Sequence, residues 1–301
     1  MNPTVSVIIP VYNDPEGLCT TLDSVCEQTA GCGKYEIIII DNNSTDNTSS
    51  VAQEFAKKHS NINLVFERNV QSSYAARNRG IQHSDGEIIA FIDADMIAPS
   101  NYIETVIRQM KNNKTQYAGI DVDMFIPNNI STISSKYAKN RGFNIKKSIE
   151  ESNYAPTCCL VVNKDLIGSV GKFDERMISK GDVEFGRRVA AEGFSQKYID
   201  DITLHHPART TLDSLIRRRA RIGRGTIQFK HYHPERSWGY NSLISVENLC
   251  PMFFHTFYKK NKRFYNQSTI ILVYLLLWVL TLAETYGKIY QSISLRRDSN
   301  S

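Results

Sequence analysis

The sequence predicts an α/β protein: a mostly parallel central sheet with helices on both faces, followed by a C-terminal helical segment. Two observations point to the sheet and a third to the tail. Four short apolar runs, "VSVIIPVY" (5–12), "YEIIIID" (35–41), "NLVFE" (63–67) and "EIIAFID" (87–93), are continuous enough for strands covered on both faces. The stretches between them repeat apolar residues at helical spacing, and strands alternating with helices build a parallel sheet. Near the C-terminus, residues 264–283 form a run of 20 residues without a charge.

Taken in order, the first strand leads into a helix over 16–29, where Leu18, Leu22 and Val25 share a face. The second strand ends at Asp41. Ser44 and Asp46 then offer caps for a helix over 46–59, with Val51, Ala52, Phe55 and Ala56 as its apolar stripe. The third strand precedes a helix over 73–84, and the fourth runs into Asp93-Ala94-Asp95. Parallel sheets of this kind bind ligands beyond the carboxyl ends of their strands. The strand ends are therefore where chemistry is expected.

A chain of 301 residues suits one large domain or two smaller ones. The net charge is only +5, but Arg209 to Arg236 holds eight basic and two acidic residues, a local +6. Such a stretch suits a localised anion: phosphate, lipid headgroups or nucleic acid. Nucleic acid is disfavoured, because the run lacks interleaved aromatics and no nucleic-acid module is present. The six cysteines, at 19, 26, 32, 158, 159 and 250, contain no Cys-x-x-Cys and read as reduced thiols of a cytoplasmic domain. The N-terminus is strand-like from the start, so no signal peptide is expected. The apolar core of the tail, "IILVYLLLWVLTLA", lies between Lys259, Lys260, Lys262 and Arg263 on one side and Arg296 and Arg297 beyond it. Tyr265, Tyr274, Trp278 and Tyr286 are candidate interfacial anchors. Membrane association is expected; spanning the bilayer, lying in its interface and docking on the globular domain all remain open.

The first strand ends in Pro10-Val11-Tyr12-Asn13-Asp14, with no Gly-x-Gly-x-x-Gly after it, which argues against a dinucleotide-binding domain. At the second strand end, Asp41 can accept hydrogen bonds from a base or ribose, or simply cap a turn. At the fourth, two carboxylates one residue apart leave a buried strand. That is costly unless something pairs with them, and a divalent cation carrying a diphosphate does so. A second Asp-x-Asp, Asp121-Val122-Asp123, lies within a strand and reads as structural or peripheral.

Together the segments "VSVIIPVYN", "IIIIDNNSTDNT", "ERNVQSSYAARNRGI", "GEIIAFIDADM", "CCLVVNKDLIGSVGKFDE" and "SKGDVEFGRRV" resemble an inverting family 2 glycosyltransferase with the glycosyltransferase A-type fold and its Rossmann-like nucleotide-binding half. The resemblance covers roughly residues 4 to 225. It implies a catalytic domain over 1–225 and a C-terminal helical region over 226–301. Pro10, Tyr12 and Asp41 would line the nucleotide pocket, and Arg77 and Asn78 would shape it. Asp93 would contact the ribose or metal region, and Asp95 would ligate Mn²⁺ or Mg²⁺. Asp182 matches the family's base, with Glu184 close by to tune it or to bind acceptor. Gly181 stands where the family usually has Glu, and Gln71 where Gly is usual. A C-terminal His often completes the metal site, so His206 is the candidate and His205 the reserve. Of the arginine cluster (Arg217, Arg218, Arg219, Arg221, Arg224), Arg221 is a candidate for the leaving diphosphate.

The resemblance implies a UDP- or GDP-sugar donor, a glycan or lipid-linked hydroxyl acceptor, and work at the cytoplasmic face of a membrane. Two rivals differ in kind. A nucleotidyltransferase of the same fold needs a basic Gly-rich loop after the first strand, and "PVYNDPEG" has no basic residue. A non-catalytic nucleotide- or membrane-binding scaffold has no use for both Asp95 and Asp182.

Overall fold

The computed structural model describes residues 3–112, 115–239 and 254–298. Seven strands form one sheet: β1 (Val5–Val11), β2 (Tyr35–Asp41), β3 (Ile62–Phe66), β4 (Ile88–Phe91), β5 (Tyr117–Phe125), β6 (Leu160–Asn163) and β7 (Gln196–Pro207). Their order across the sheet is β3-β2-β1-β4-β6-β5-β7. The helices are α1 (Pro15–Cys26), α2 (Thr48–Lys58), α3 (Ser73–His83), α4 (Tyr102–Asn112), α5 (Ile133–Arg141), α6 (Ile145–Ser152), α7 (Lys164–Val170), α8 (Gly181–Ala191), α9 (Leu212–Tyr232), α10 (Phe254–Asn261) and α11 (Gln267–Asp298).

The first four strands follow the sequence expectation. β1 pairs in parallel with β2 and with β4, and β2 in parallel with β3. Ile37, Ile38, Ile39 and Ile40 are all fully buried, as a strand covered on both faces requires. Burying a side chain of this size stabilises the fold by about 1.5–3 kcal/mol. On one face, α3 approaches so closely that a Cβ on Gly80 would lie 2.6 Å from Ile8 and 2.8 Å from Ile40. The second half of the sheet departs from the parallel pattern: β6 is antiparallel to both β4 and β5. Asp121 on β5 accepts hydrogen bonds from Tyr198 and Thr203 of β7, in the structural role read for that Asp-x-Asp.

The chain divides into two compact units. The first comprises 1–123, 143–176 and 181–206; the second comprises 124–142, 177–180 and 207–301. The boundary expected at 225 falls inside α9, whose 21 residues run unbroken. Gly223 and Gly225, inside this helix, are both sites of close approach. A Cβ on Gly223 would lie 2.1 Å from the Glu284 carbonyl oxygen, and one on Gly225 would lie 2.5 Å from Ser179.

Within the second unit, α11 packs along α9. Arg219 forms an ion pair with Glu284 (3.3 Å) and donates to Tyr137 (3.0 Å), while Lys288 pairs with Glu284 from the same helix (3.3 Å). Two of the expected interfacial anchors turn inward. Tyr274 packs on Phe257, and Tyr265 is half-buried beside Asn140, with its phenol pushed up by that burial. The five cysteines among the described residues are free thiols, and Cys250 lies outside those residues.

Candidate active site

Three strands that run in parallel end on the same side of the sheet, and their loops converge there. After β1, Asn13 takes a left-handed conformation (φ 50°), and after β2 Asn43 does the same (φ 66°); asparagine tolerates both. The two loops are laced together. Asn13 N–H donates to Ser44 Oγ (3.0 Å), and Thr45 N–H donates to Asn13 Oδ1 (2.8 Å). Tyr12, beside this lacing, keeps its ring half exposed, at 50%. Pro10 sits at the end of β1, opposite Ile40 in the register.

Asp41 behaves differently from expectation. Its Oδ1 accepts the Ser44 N–H (2.8 Å) and its Oδ2 accepts the Ser49 hydroxyl, leaving the residue only 1% exposed. The carboxylate shapes its own loop from within. Each oxygen accepts one such bond and keeps a further lone pair.

The Asp93–Asp95 turn is built from several directions. Thr21 of α1 accepts the Met96 N–H (2.9 Å), and its hydroxyl lies 2.8 Å from the Met96 carbonyl and 3.2 Å from that of Asp93. Gly17 lets α1 pass close, since a Cβ there would lie 2.5 Å from the Ala94 carbonyl. Arg77 of α3 forms an ion pair with Asp93 at 2.5 Å and also donates to the Ser73 carbonyl at 3.1 Å. Asp93 thus stands beside a fixed positive charge. Asp95, two residues on, has its carboxylate 3.8 Å from His206 Nε2.

His206 reaches that position through β7. An isolated bridge joins Ile97 and His205, with backbone hydrogen bonds of 2.9 and 3.0 Å in the two directions. Successive side chains on a strand point to opposite faces. His206, and not the reserve His205, is the histidine that faces Asp95. Phe143 packs against the His206 ring, 5.5 Å between centres.

The pair fits a divalent cation. Two donors about 2.1 Å from one ion stand about 3.0 Å apart when adjacent and about 4.2 Å apart when opposite, a range that includes the observed 3.8 Å. Among the described residues no group of three or more His, Cys, Asp and Glu is gathered. Such an ion would therefore draw its remaining ligands from water and substrate oxygens, as Mg²⁺ usually does.

α3 also holds the other candidate centre. The Tyr74 phenol oxygen accepts the Gly181 N–H at 2.9 Å and faces the Asp182 N–H at 3.4 Å, tying down the first turn of α8. A Cβ on Gly181 would lie 2.7–2.9 Å from the Tyr74 ring. The ring therefore fills the space that a side chain at 181 would need, which accounts for glycine there. Asn78 works indirectly: it donates to the Phe173 carbonyl (2.9 Å) and Glu175 (2.8 Å) and accepts the Phe173 N–H (3.1 Å). It ties the 173–175 segment to α3.

Glu184 does not join Asp182. Residues two apart on a helix diverge by about 200° and do not face each other. Its side chain is 1% exposed and is clamped by both donors of Arg188, at 2.9 and 2.8 Å. Arg188 also binds the carbonyls of Val170 and Lys172. Glu184 is thus held as a buried ion pair with Arg188, on a different face of α8 from Asp182. Arg221 is exposed on α9, in the second unit. Its neighbour Arg218 is pushed down to about 10 by burial and by the charges of Arg209, Arg219 and Arg221.

Tyr74, Thr21, Gly17 and Phe143 escape sequence reasoning. The only sequence signal for Tyr74 is the unusual glycine at 181, and it becomes legible only once the two are seen in contact.

The family profile described as "Glycosyl transferase family 2" matches residues 6–167. The chain belongs to glycosyl transferase family 2. One relative from this family, Glycosyltransferase AglE of Haloferax volcanii, is 36% identical over 226 residues, covering 75% of this chain and 74% of the relative. The fold has solved counterparts. Mannosyltransferase PcManGT from Pyrobaculum calidifontis, solved in complex with GDP-Man and Mn²⁺, aligns with a TM-score of 0.64 at 16% identity, covering 96% of this chain and 88% of that one. TarS 1–349 of S. aureus, in complex with UDP-GlcNAc, aligns with a TM-score of 0.57 at 14% identity, covering 99% and 92%. The family 2 chain therefore has the glycosyltransferase A-type α/β fold.

Proposed function

We propose that this family 2 protein is an inverting, metal-dependent transferase that moves a sugar from a nucleotide-sugar donor to a hydroxyl acceptor in glycan synthesis. The observation that carries the reading is the 3.8 Å approach of Asp95 and His206, which lie on separate elements at the end of the sheet. The same α3 helix that holds Asp93 through Arg77 also holds the Asp182 turn through Tyr74.

In this reading Pro10 and Tyr12 flank the nucleotide, and Arg77 keeps Asp93 oriented toward the ribose and diphosphate. Asp95 and His206 would hold Mn²⁺ or Mg²⁺, which supplies positive charge to the diphosphate. Asp182 takes the proton from the attacking hydroxyl. The oxygen then displaces the nucleoside diphosphate at the anomeric carbon from the opposite side, which inverts configuration. Arg221 is the candidate for charge on the leaving group. A UDP- or GDP-sugar is the donor class, in keeping with the UDP-GlcNAc and GDP-Man bound to the structural neighbours. The acceptor is a polysaccharide or lipid-linked glycan intermediate. The α11 helix, whose most apolar 18 residues have a mean hydropathy of 1.9, is the candidate attachment to the cytoplasmic face of a membrane.

Replacing Asp182 with Asn tests the core of this reading. Donor affinity measured by calorimetry should persist, while transfer should fall about 10²–10⁴-fold, the usual worth of general-base catalysis. A variant within a few-fold of the natural enzyme would remove Asp182 from the chemistry.

A further inference from the structure

α11 carries two faces with different partners. Ile270, Val273, Leu276 and Leu280 are buried, as are Thr285, Lys288 and Gln291 further along. On the opposite side, Ile271, Leu272, Leu275, Val279, Leu282, Tyr286, Ile289, Tyr290 and Ile293 are exposed, Leu275 at 54% and Tyr286 at 65%. At 3.6 residues per turn these nine fall on a stripe about 100° wide and about 33 Å long. The helix has two charges between Arg263 and Arg296, Glu284 and Lys288, and both turn to the α9 side.

That arrangement argues against a helix crossing a bilayer lengthwise. α9 is bound to α11 at the level of Glu284 to Gln291. Gly223 meets the Glu284 carbonyl, a Cβ on Gly287 would lie 2.1 Å from the Ala220 carbonyl, and Arg224 donates to Gln291 (3.2 Å). Immersing this level would immerse Arg219, Arg221 and Arg224, which a hydrocarbon interior opposes. The uncharged part of the helix, Gln267 to Ala283, is about 25 Å long, short of the roughly 30 Å hydrocarbon core.

We infer that α11 lies in the plane of an anionic lipid surface, its exposed stripe sunk among the acyl chains and α9 packed behind it on the protein side. The charge pattern identifies lipid as the occupant. Lys259, Lys260, Lys262 and Arg263 precede the stripe and Arg296 and Arg297 follow it, so both ends carry cations suited to acidic headgroups. The stripe residues themselves carry no charge, and the Arg224 guanidinium of α9 reaches only the C-terminal part of the stripe, 5.1 Å from the Tyr290 ring centre. This rests on the membrane attachment proposed above and fixes its mode.

The test uses the full-length protein and a variant with Leu275→Asp and Leu282→Asp, both on the exposed stripe. Flotation is compared on phosphatidylcholine vesicles with and without phosphatidylglycerol, followed by alkaline carbonate extraction of the bound protein. The natural chain should float with the anionic vesicles and be released by carbonate. The variant should keep its circular dichroism spectrum and melting temperature and lose roughly tenfold or more in partitioning. Resistance to carbonate would overturn the in-plane mode while leaving attachment intact. Failure of the natural chain to float would overturn attachment itself. A lipid-free dimer that the two substitutions dissociate would show that a second copy covers the stripe.

Discussion

The phenol oxygen of Tyr74 accepts the backbone N–H of Gly181 at 2.9 Å, so a tyrosine on α3 sets where the proposed base on α8 begins. Tyr74→Phe keeps the ring against Phe173 and removes the acceptor. Leaving a buried N–H unsatisfied costs about 1–3 kcal/mol. Transfer should fall while donor affinity stays unchanged, a split that turnover kinetics and calorimetry read separately. Gly181→Ala should do the same by pushing a methyl group into the ring. An unchanged turnover number in both variants would mean the contact does not govern Asp182.

The two adjacent histidines provide an internal control. His206→Ala should abolish the Mn²⁺-dependent part of donor affinity, as should Asp95→Asn. His205→Ala should leave it within a few-fold, because its side chain lies on the other face of the strand. Titrating nucleoside diphosphate with and without EDTA separates the outcomes. Equal losses at 205 and 206 would contradict the alternation.

Glu184→Gln should act on stability before activity. Removing one partner of a buried ion pair typically costs about 3–5 kcal/mol, since the other charge is left buried. Denaturant unfolding should show that loss, and the surviving folded fraction should transfer at close to the natural rate. A normal midpoint with abolished transfer would return Glu184 to the chemistry.

Thiol labelling should rank the cysteines. Cys32 is exposed and should react first. Cys26 is pushed up to about 11, chiefly by burial and then by Asp23. At pH 8 its thiolate fraction is therefore about 10⁻³, and its labelling rate should climb roughly tenfold per pH unit up to that value. Buried Cys158 and Cys159 should label only on unfolding. Early modification of Cys158 or Cys159 in the native protein would contradict their burial.

Much of the first half of the fold is readable from composition because β1, β2 and β4 are buried on both faces, and such strands have little freedom in sequence. β6 is harder. Its four residues, Leu160–Asn163, enter the sheet between β4 and β5, a long-range pairing that no local pattern encodes. The carboxylates at 93 and 95 stand out in the sequence by type and spacing and Asp182 through the family resemblance, whereas the residues that hold them do not. Arg77 and Tyr74 sit on one helix, but what they grip depends on tertiary contact. The pairing of Glu184 with Arg188 is not legible either, because two residues apart in sequence is not side by side on a helix. The boundary at 225, drawn where the resemblance ends, falls inside α9, because the end of a motif carries no information about where a helix stops.

The order of the strands in the sheet also sets a schedule for biosynthesis. As the chain leaves the ribosome, β3, β2, β1 and β4 are available together, and Asp95 follows directly after β4. The next position in the sheet belongs to β6, so the free edge of β4 stays unpaired until residue 163 has been made. An open edge of that kind is where nascent chains pair wrongly and where chaperones are needed. His206 arrives later still, on the last strand. A chain interrupted before it would carry half of the proposed cation-binding pair, so on that proposal holding an ion would mark a finished sheet.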